Sequence, residues 1–73
     1  MDEKDIIKIF GYNLKNIMKN KNVTQEELAK RVDTSQVMIS RYVRGETLPS
    51  VIVVRKMAKS LGCLIEDFFD ENI

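Results

Sequence analysis

The chain has 73 residues, 44% apolar and 32% charged, with a net charge of +1. That length allows one small domain, which buries only about 60% of its unfolded surface, and it excludes a large two-layer enzyme. The composition is globular, neither disordered nor collagen-like.

Cys63 is the one cysteine and histidine is absent, so a disulfide framework and a zinc finger are both excluded and packing must hold the fold. The opening MDEKDIIKIF starts with acids and has no long apolar run, which fits neither a signal peptide nor a membrane span. The expectation is a chain of the reducing cytoplasm, with no metal, no cofactor and no membrane partner. Charge is unevenly spread: residues 8–59 hold eleven Lys or Arg against four acids, while both ends are acidic. In a compact fold this gives a dipolar molecule with one face suited to a polyanion, although the same charges also suit solvated helix faces.

In chain order, Phe10, Leu14, Ile17 and Met18 repeat at helical spacing and predict an amphipathic helix from about Asp5 to Asn20. Thr24 and Glu27 have the spacing of a capping box, so a second helix starts after Thr24 with Leu28, Ala29 and Val32 inward. Asp33 and Thr34 interrupt the pattern. Ser35 then caps a third helix that runs to a left-handed stop at Gly45. At about 100° per residue, Ile39 and Val43 share one side of this helix, with Val37, Arg41 and Arg44 roughly opposite.

Pro49 and Ser50 open a fourth helix with Val51, Val54, Met57, Ala58 and Leu61 on one side and Gly62 as its stop. A short fifth helix carries Ile65, Phe68 and Phe69. No segment alternates with period two and no repeat is visible, so the class is all-α, a single domain over residues 1–73.

Two short helices joined by about three residues, the second basic on its outer face, have the spacing of a helix-turn-helix unit over about residues 24–44. The run FGYNLKNIMKNKNVTQEELAKRVDTSQVMISRYVRGETLPS, followed by MAKSLG and EDFF, resembles the phage repressor and Cro family of helix-turn-helix proteins, also called the XRE family. The resemblance covers roughly residues 10–69. It implies a compact five-helix, lambda-repressor-like domain whose third helix enters the DNA major groove, usually as a homodimer on a palindromic operator. Carried over by position, base-reading sites fall on Gln25, Gln36, Val37, Ser40 and Arg41, and phosphate-contacting sites on Thr24, Ser35, Arg44 and Thr47.

The chemistry of these residues agrees. Arginine can give two parallel bonds to guanine, glutamine can do the same for adenine, and Val37 can meet a thymine methyl. Free amides at helix N-termini suit phosphates. Taken singly, Gln25 and Ser40 also suit a plain solvent-facing surface, as do Lys15, Lys19 and Lys21 near a helix C-terminus.

Three departures from the family pattern stand out. Asp33 takes a turn position that is usually glycine, which it can fill with some strain. Met18 and Val43 replace an ion pair found in many relatives, and losing both partners together strands no charge. Ile52, Val53 and Leu64, with Ile65, Phe69 and Ile73, exceed what a core of this size needs, which points to a dimer interface, with local packing of the closing segment as the alternative. Cys63 stands where relatives often carry valine, so a small buried residue is expected there in preference to a redox thiol.

The resulting expectation is a sequence-specific regulator of transcription that binds double-stranded DNA, a homodimeric repressor with no separate effector domain. The alternative is an antitoxin-like or adaptor module that uses the same fold to hold a protein partner. Without histidine, a nucleophile beside a base, or a Gly-rich phosphate loop, an enzyme is not expected.

Overall fold

A computed structural model describes residues 2–71 and holds four α-helices: α1 (Glu3–Lys21), α2 (Gln25–Arg31), α3 (Gln36–Val43) and α4 (Val51–Leu61). A 3-10 helix follows at Ile65–Phe69, and no strand occurs among the described residues.

Each α-helix starts and stops by the same local chemistry. An N-cap oxygen accepts the amide three residues on: Asp2 from Asp5 at 3.0 Å, Thr24 from Glu27 at 3.1 Å, Ser35 from Met38 at 3.1 Å and Ser50 from Val53 at 3.2 Å. In α1 and α2 the box is closed by Asp5 and Glu27 reaching back to the cap amides. The Asp2 cap explains why α1 begins two residues before its expected start.

At the other ends stand four left-handed residues, Asn22 (φ 56°), Asp33 (φ 56°), Gly45 (φ 71°) and Gly62 (φ 67°). After each, the next amide donates to the carbonyl five residues back: Val23 to Met18, Thr34 to Ala29, Glu46 to Arg41 and Cys63 to Ala58. This is the Schellman pattern, with glycine at two ends and Asn or Asp at the others.

The core gathers Phe10, Leu14 and Met18 of α1, Leu28 and Ala29 of α2 with Val32, Ile39 and Tyr42 of α3, Val54, Met57, Ala58 and Leu61 of α4, and Phe68. The helix α1 is its spine, packed against α3, α4 and the 3-10 helix, while α2 rests on α3 and α4. The Phe10 ring lies 5.2 Å from Phe68 and 5.5 Å from Phe69 between centroids, both tilted, an arrangement that adds about 0.5–1.5 kcal/mol to simple burial.

Two expectations need correction. The fifth helix is a 3-10 turn of five residues. Leu64 has no oxygen to cap it, so only the returning half of a box forms, from the Leu64 amide to Asp67 at 2.9 Å. Buried Asn13 then donates to the carbonyls of Phe68 (3.0 Å) and Asp70 (2.8 Å), taking acceptors that a longer helix would need. Val51 is the second correction: it is 81% exposed, not inward-facing. It stands in the first turn of α4, at the edge of the buried arc that Val54, Met57, Ala58 and Leu61 define.

Met18 is buried and Val43 half-buried against the core, so the two apolar replacements pack where they were expected to. Cys63 is likewise partly buried against the core, and that burial raises its thiol pKa, with Asp67 adding to the effect. Ile73 lies outside the described residues. No described helix is long and apolar enough to cross a membrane.

Candidate nucleic-acid interface

The turn between α2 and α3 is set by Asp33 and Ser35. The left-handed Asp33 ends α2 and the Ser35 hydroxyl starts α3 two residues later. Asp33 is also tied to α4, its Oδ2 accepting from Lys56 Nζ at 3.3 Å. Below α3, Ile39 and Tyr42 are buried and Met38 and Val43 pack against the core from the sides. One face of α3 is thereby fixed, and the other is left for solvent or a ligand.

That outer face carries Gln36, Val37, Ser40, Arg41 and Arg44. Gln36, Val37, Ser40 and Arg44 join Gln25 of α2 around one shallow cleft of about 290 Å³. Val37 is 69% exposed, an apolar side chain held out in the first turn of α3. Arg41 stands outside this lining, at the edge of the arc, as a rotation of 100° per residue requires.

Thr24 and Ser35 lie at the N-caps of α2 and α3. Each hydroxyl accepts an amide, and the Ser35 hydroxyl keeps its own proton to donate, whereas that of Thr24 serves the Glu27 carboxylate. Thr47 is half-buried in the connection after α3. A second cleft of about 280 Å³ shares Gln25 with the first, and Thr24 lines it together with Lys15 and Lys19 of α1. Their spacing of four residues puts both on the flank of the α2 entrance, which a reading of α1 alone could not foretell.

Glu46 is the residue that sequence reasoning passed over. Its carboxylate takes Arg41 Nε at 3.4 Å and Arg44 Nε at 2.5 Å, and Arg44 Nη1 donates to Ser40 Oγ. The hydrogen bond to Arg44 holds the Glu46 carboxyl below its ordinary pKa, and the same bond raises that of Arg44. The available signal was local: a glycine stop turns the chain, so an acid just after it returns to the helix end.

Residues 14–68 match the helix-turn-helix family known as HTH_3. The chain belongs to that helix-turn-helix family. Over 58 residues it is 36% identical to an HTH-type transcriptional regulator of Sinorhizobium fredii, covering 80% of this chain and 75% of that one. It is 42% identical over 48 residues to an HTH-type transcriptional regulator of Methanocaldococcus jannaschii, 66% of this chain and 73% of that one. Among solved structures it resembles the restriction-modification controller protein of Aeromonas hydrophila, with a TM-score of 0.80 at 24% identity over 86% of this chain and 96% of that one. At this identity the likeness speaks for the fold.

Within this helix-turn-helix domain a second surface is apolar. A hollow of about 200 Å³ is lined by Leu48, Pro49, Val51, Val54, Ile65 and Phe69. Ile52 is 69% exposed and Leu64 62%, whereas Val53 is half-buried against the core. Of the five residues expected at a dimer interface, Ile65 and Phe69 share the hollow. Ile52 and Leu64 stand exposed outside its lining.

Proposed function

We propose that this helix-turn-helix regulator binds double-stranded DNA sequence-specifically through the major groove, as a homodimeric repressor on a palindromic operator. One observation carries the reading: Gln25, Gln36, Val37, Ser40 and Arg44 converge on one exposed cleft, with no acid lining it and an exposed apolar residue among its polar ones. A phosphate-only binder has no use for an exposed valine, whereas a thymine methyl matches it.

Gln25, Gln36, Val37, Ser40 and Arg41 are assigned to base edges. Thr24, Ser35, Arg44 and Thr47 are assigned to phosphates, with Lys15 and Lys19 extending that flank. Ile52, Leu64, Ile65 and Phe69 are assigned to the partner protomer, since an exposed apolar surface of this kind marks association, with half-buried Val53 joining that surface to the core. The test is selection of duplexes from a random pool by the purified chain. A recovered sequence with two-fold symmetry supports the reading, and half-sites about 34 Å apart are expected for a dimer. Recovery of no preferred sequence, with no salt-dependent binding to any duplex, would instead leave the apolar hollow to a protein partner, as in an antitoxin-like or adaptor module.

A further inference from the structure

Glu46 is the only acid between Asp33 and Glu66. Gly45, at φ 71°, turns the chain back, and the Glu46 amide donates to the Arg41 carbonyl at 3.0 Å. Backbone geometry therefore fixes this one carboxylate beside the last turn of α3. Its two oxygens then divide between two arginines, Oε1 to Arg41 and Oε2 to Arg44.

The nitrogens involved matter more than the pairing. Both arginines meet Glu46 through Nε. In Arg41 no group among the described residues takes the two terminal nitrogens. Those terminal nitrogens can form the fork that reads guanine O6 and N7. A carboxylate on Nε thus restrains the long side chain and leaves its reading end open. In Arg44 one terminal nitrogen goes to Ser40, so that side chain is held at two points.

We infer that Glu46 is a positioning residue for DNA recognition: it orders Arg41 for base contact and, by its own negative charge and its pairing with Arg44, weakens attachment to phosphates in general. The inference rests on the DNA-binding reading above. The two effects act differently on different duplexes. Repulsion of the phosphate backbone applies to every sequence. Ordering of Arg41 helps only where a base accepts its fork, because side chains already held in place lose less freedom on binding. Glu46 therefore raises the ratio of specific to random binding, at some loss of total affinity.

The experiment measures Glu46→Gln and Glu46→Ala against the unmodified chain, on the duplex recovered by selection and on a scrambled duplex of equal length. Both variants should bind the scrambled duplex more tightly, roughly two- to fivefold, as expected for one exposed charge. The ratio of selected to scrambled affinity should fall roughly two- to tenfold in Glu46→Ala. It should fall less in Glu46→Gln, whose amide oxygen can still accept from Arg41. Thermal melts of all three chains show whether the variants are folded, and a fall in the ratio with an unchanged melt is not a folding effect. An unchanged ratio in both variants overturns the inference, leaving Glu46 a general repulsive charge. If the unmodified chain binds neither duplex, the DNA-binding reading fails first and the inference falls with it.

Discussion

Gly11 of α1 sits against the end of α3 so closely that a Cβ there would lie 2.5 Å from the Tyr42 carbonyl oxygen. It would also lie 2.8 Å from the carbonyl of Val43 and 3.0 Å from the amide of Gly45. All three are backbone atoms, with no flexible tip to swing aside. Gly11→Ala should therefore destabilise the fold by about 1–3 kcal/mol through overpacking, against a helix-propensity gain of at most ~1 kcal/mol. Chemical denaturation checks it, and equal or greater stability would mean that α1 and α3 can separate at little cost.

Asp33 offers a substitution of opposite sign. Its φ of 56° is the conformation glycine takes freely, so Asp33→Gly should relieve about 1 kcal/mol of strain. Glycine's greater unfolded freedom and the lost exposed pair with Lys56 offset part of this. A modest rise in melting temperature is expected. A fall would assign the Lys56 bond a larger part than an exposed pair normally has.

Acid should act on the capping box of α2. Glu27 has its pKa lowered from 4.5, first by the hydrogen bond from the Thr24 amide and then by the Thr24 side chain. The unfolded chain thus holds the proton more readily, and stability rises with pH across that interval. The contribution is complete above about pH 4.5 and is lost as pH falls through the lower folded value. Melting curves of Glu27→Gln and the unmodified chain should converge at low pH and diverge toward neutrality. A constant gap at every pH would contradict this.

Association through the apolar hollow predicts a dimer by sedimentation at tens of micromolar, a concentration range typical of modest interfaces. Ile65→Asp puts a charge on its wall without touching the paired rings, unlike a change at Phe69, which lies on Phe10. Operator binding should weaken with Ile65→Asp although no base contact is altered. A chain that stays monomeric with and without DNA would remove the hollow from the dimer interface.

The two arginines of α3 should separate by salt titration. Arg41→Ala should cost roughly 1–3 kcal/mol per half-site and relax preference at one symmetric pair of positions. Arg44→Ala should weaken selected and scrambled duplexes alike and reduce the salt slope by about one per protomer, as one phosphate fewer is neutralised. The reverse pattern would exchange their roles, which the place of Arg44 in the cleft beside Val37 makes worth measuring.

Local chemistry was legible in the sequence because caps and stops act over three to five residues. The Thr24 box, the Ser35 cap, the Gly45 and Gly62 stops and the outward Val37, Arg41 and Arg44 of α3 could be read from spacing, whereas Gln36 and Ser40 came with the family resemblance. Asn13 could not, since its partners lie 55 and 57 residues away. Val51 is exposed, not inward, for a different reason: periodicity puts it at the edge of the buried arc, and spacing alone does not say how wide that arc is. Glu46 was passed over because its bonds join α3 to the loop after it, and the local sign of them, an acid just past the Gly45 stop, belongs to neither element's hydrophobic pattern.

The amide of Asn13 has a consequence for how the chain reaches this structure. Its bonds to Phe68 and Asp70 close a loop that contains every residue of α2, α3 and α4. Closing a loop of that length is an entropic cost that local helix formation does not meet. The caps and left-handed stops of α2 and α3 need no such closure, so those helices can begin to form before the ends meet. Asn13→Ala should accordingly speed unfolding more than it slows folding, the mark of a clasp that shuts late.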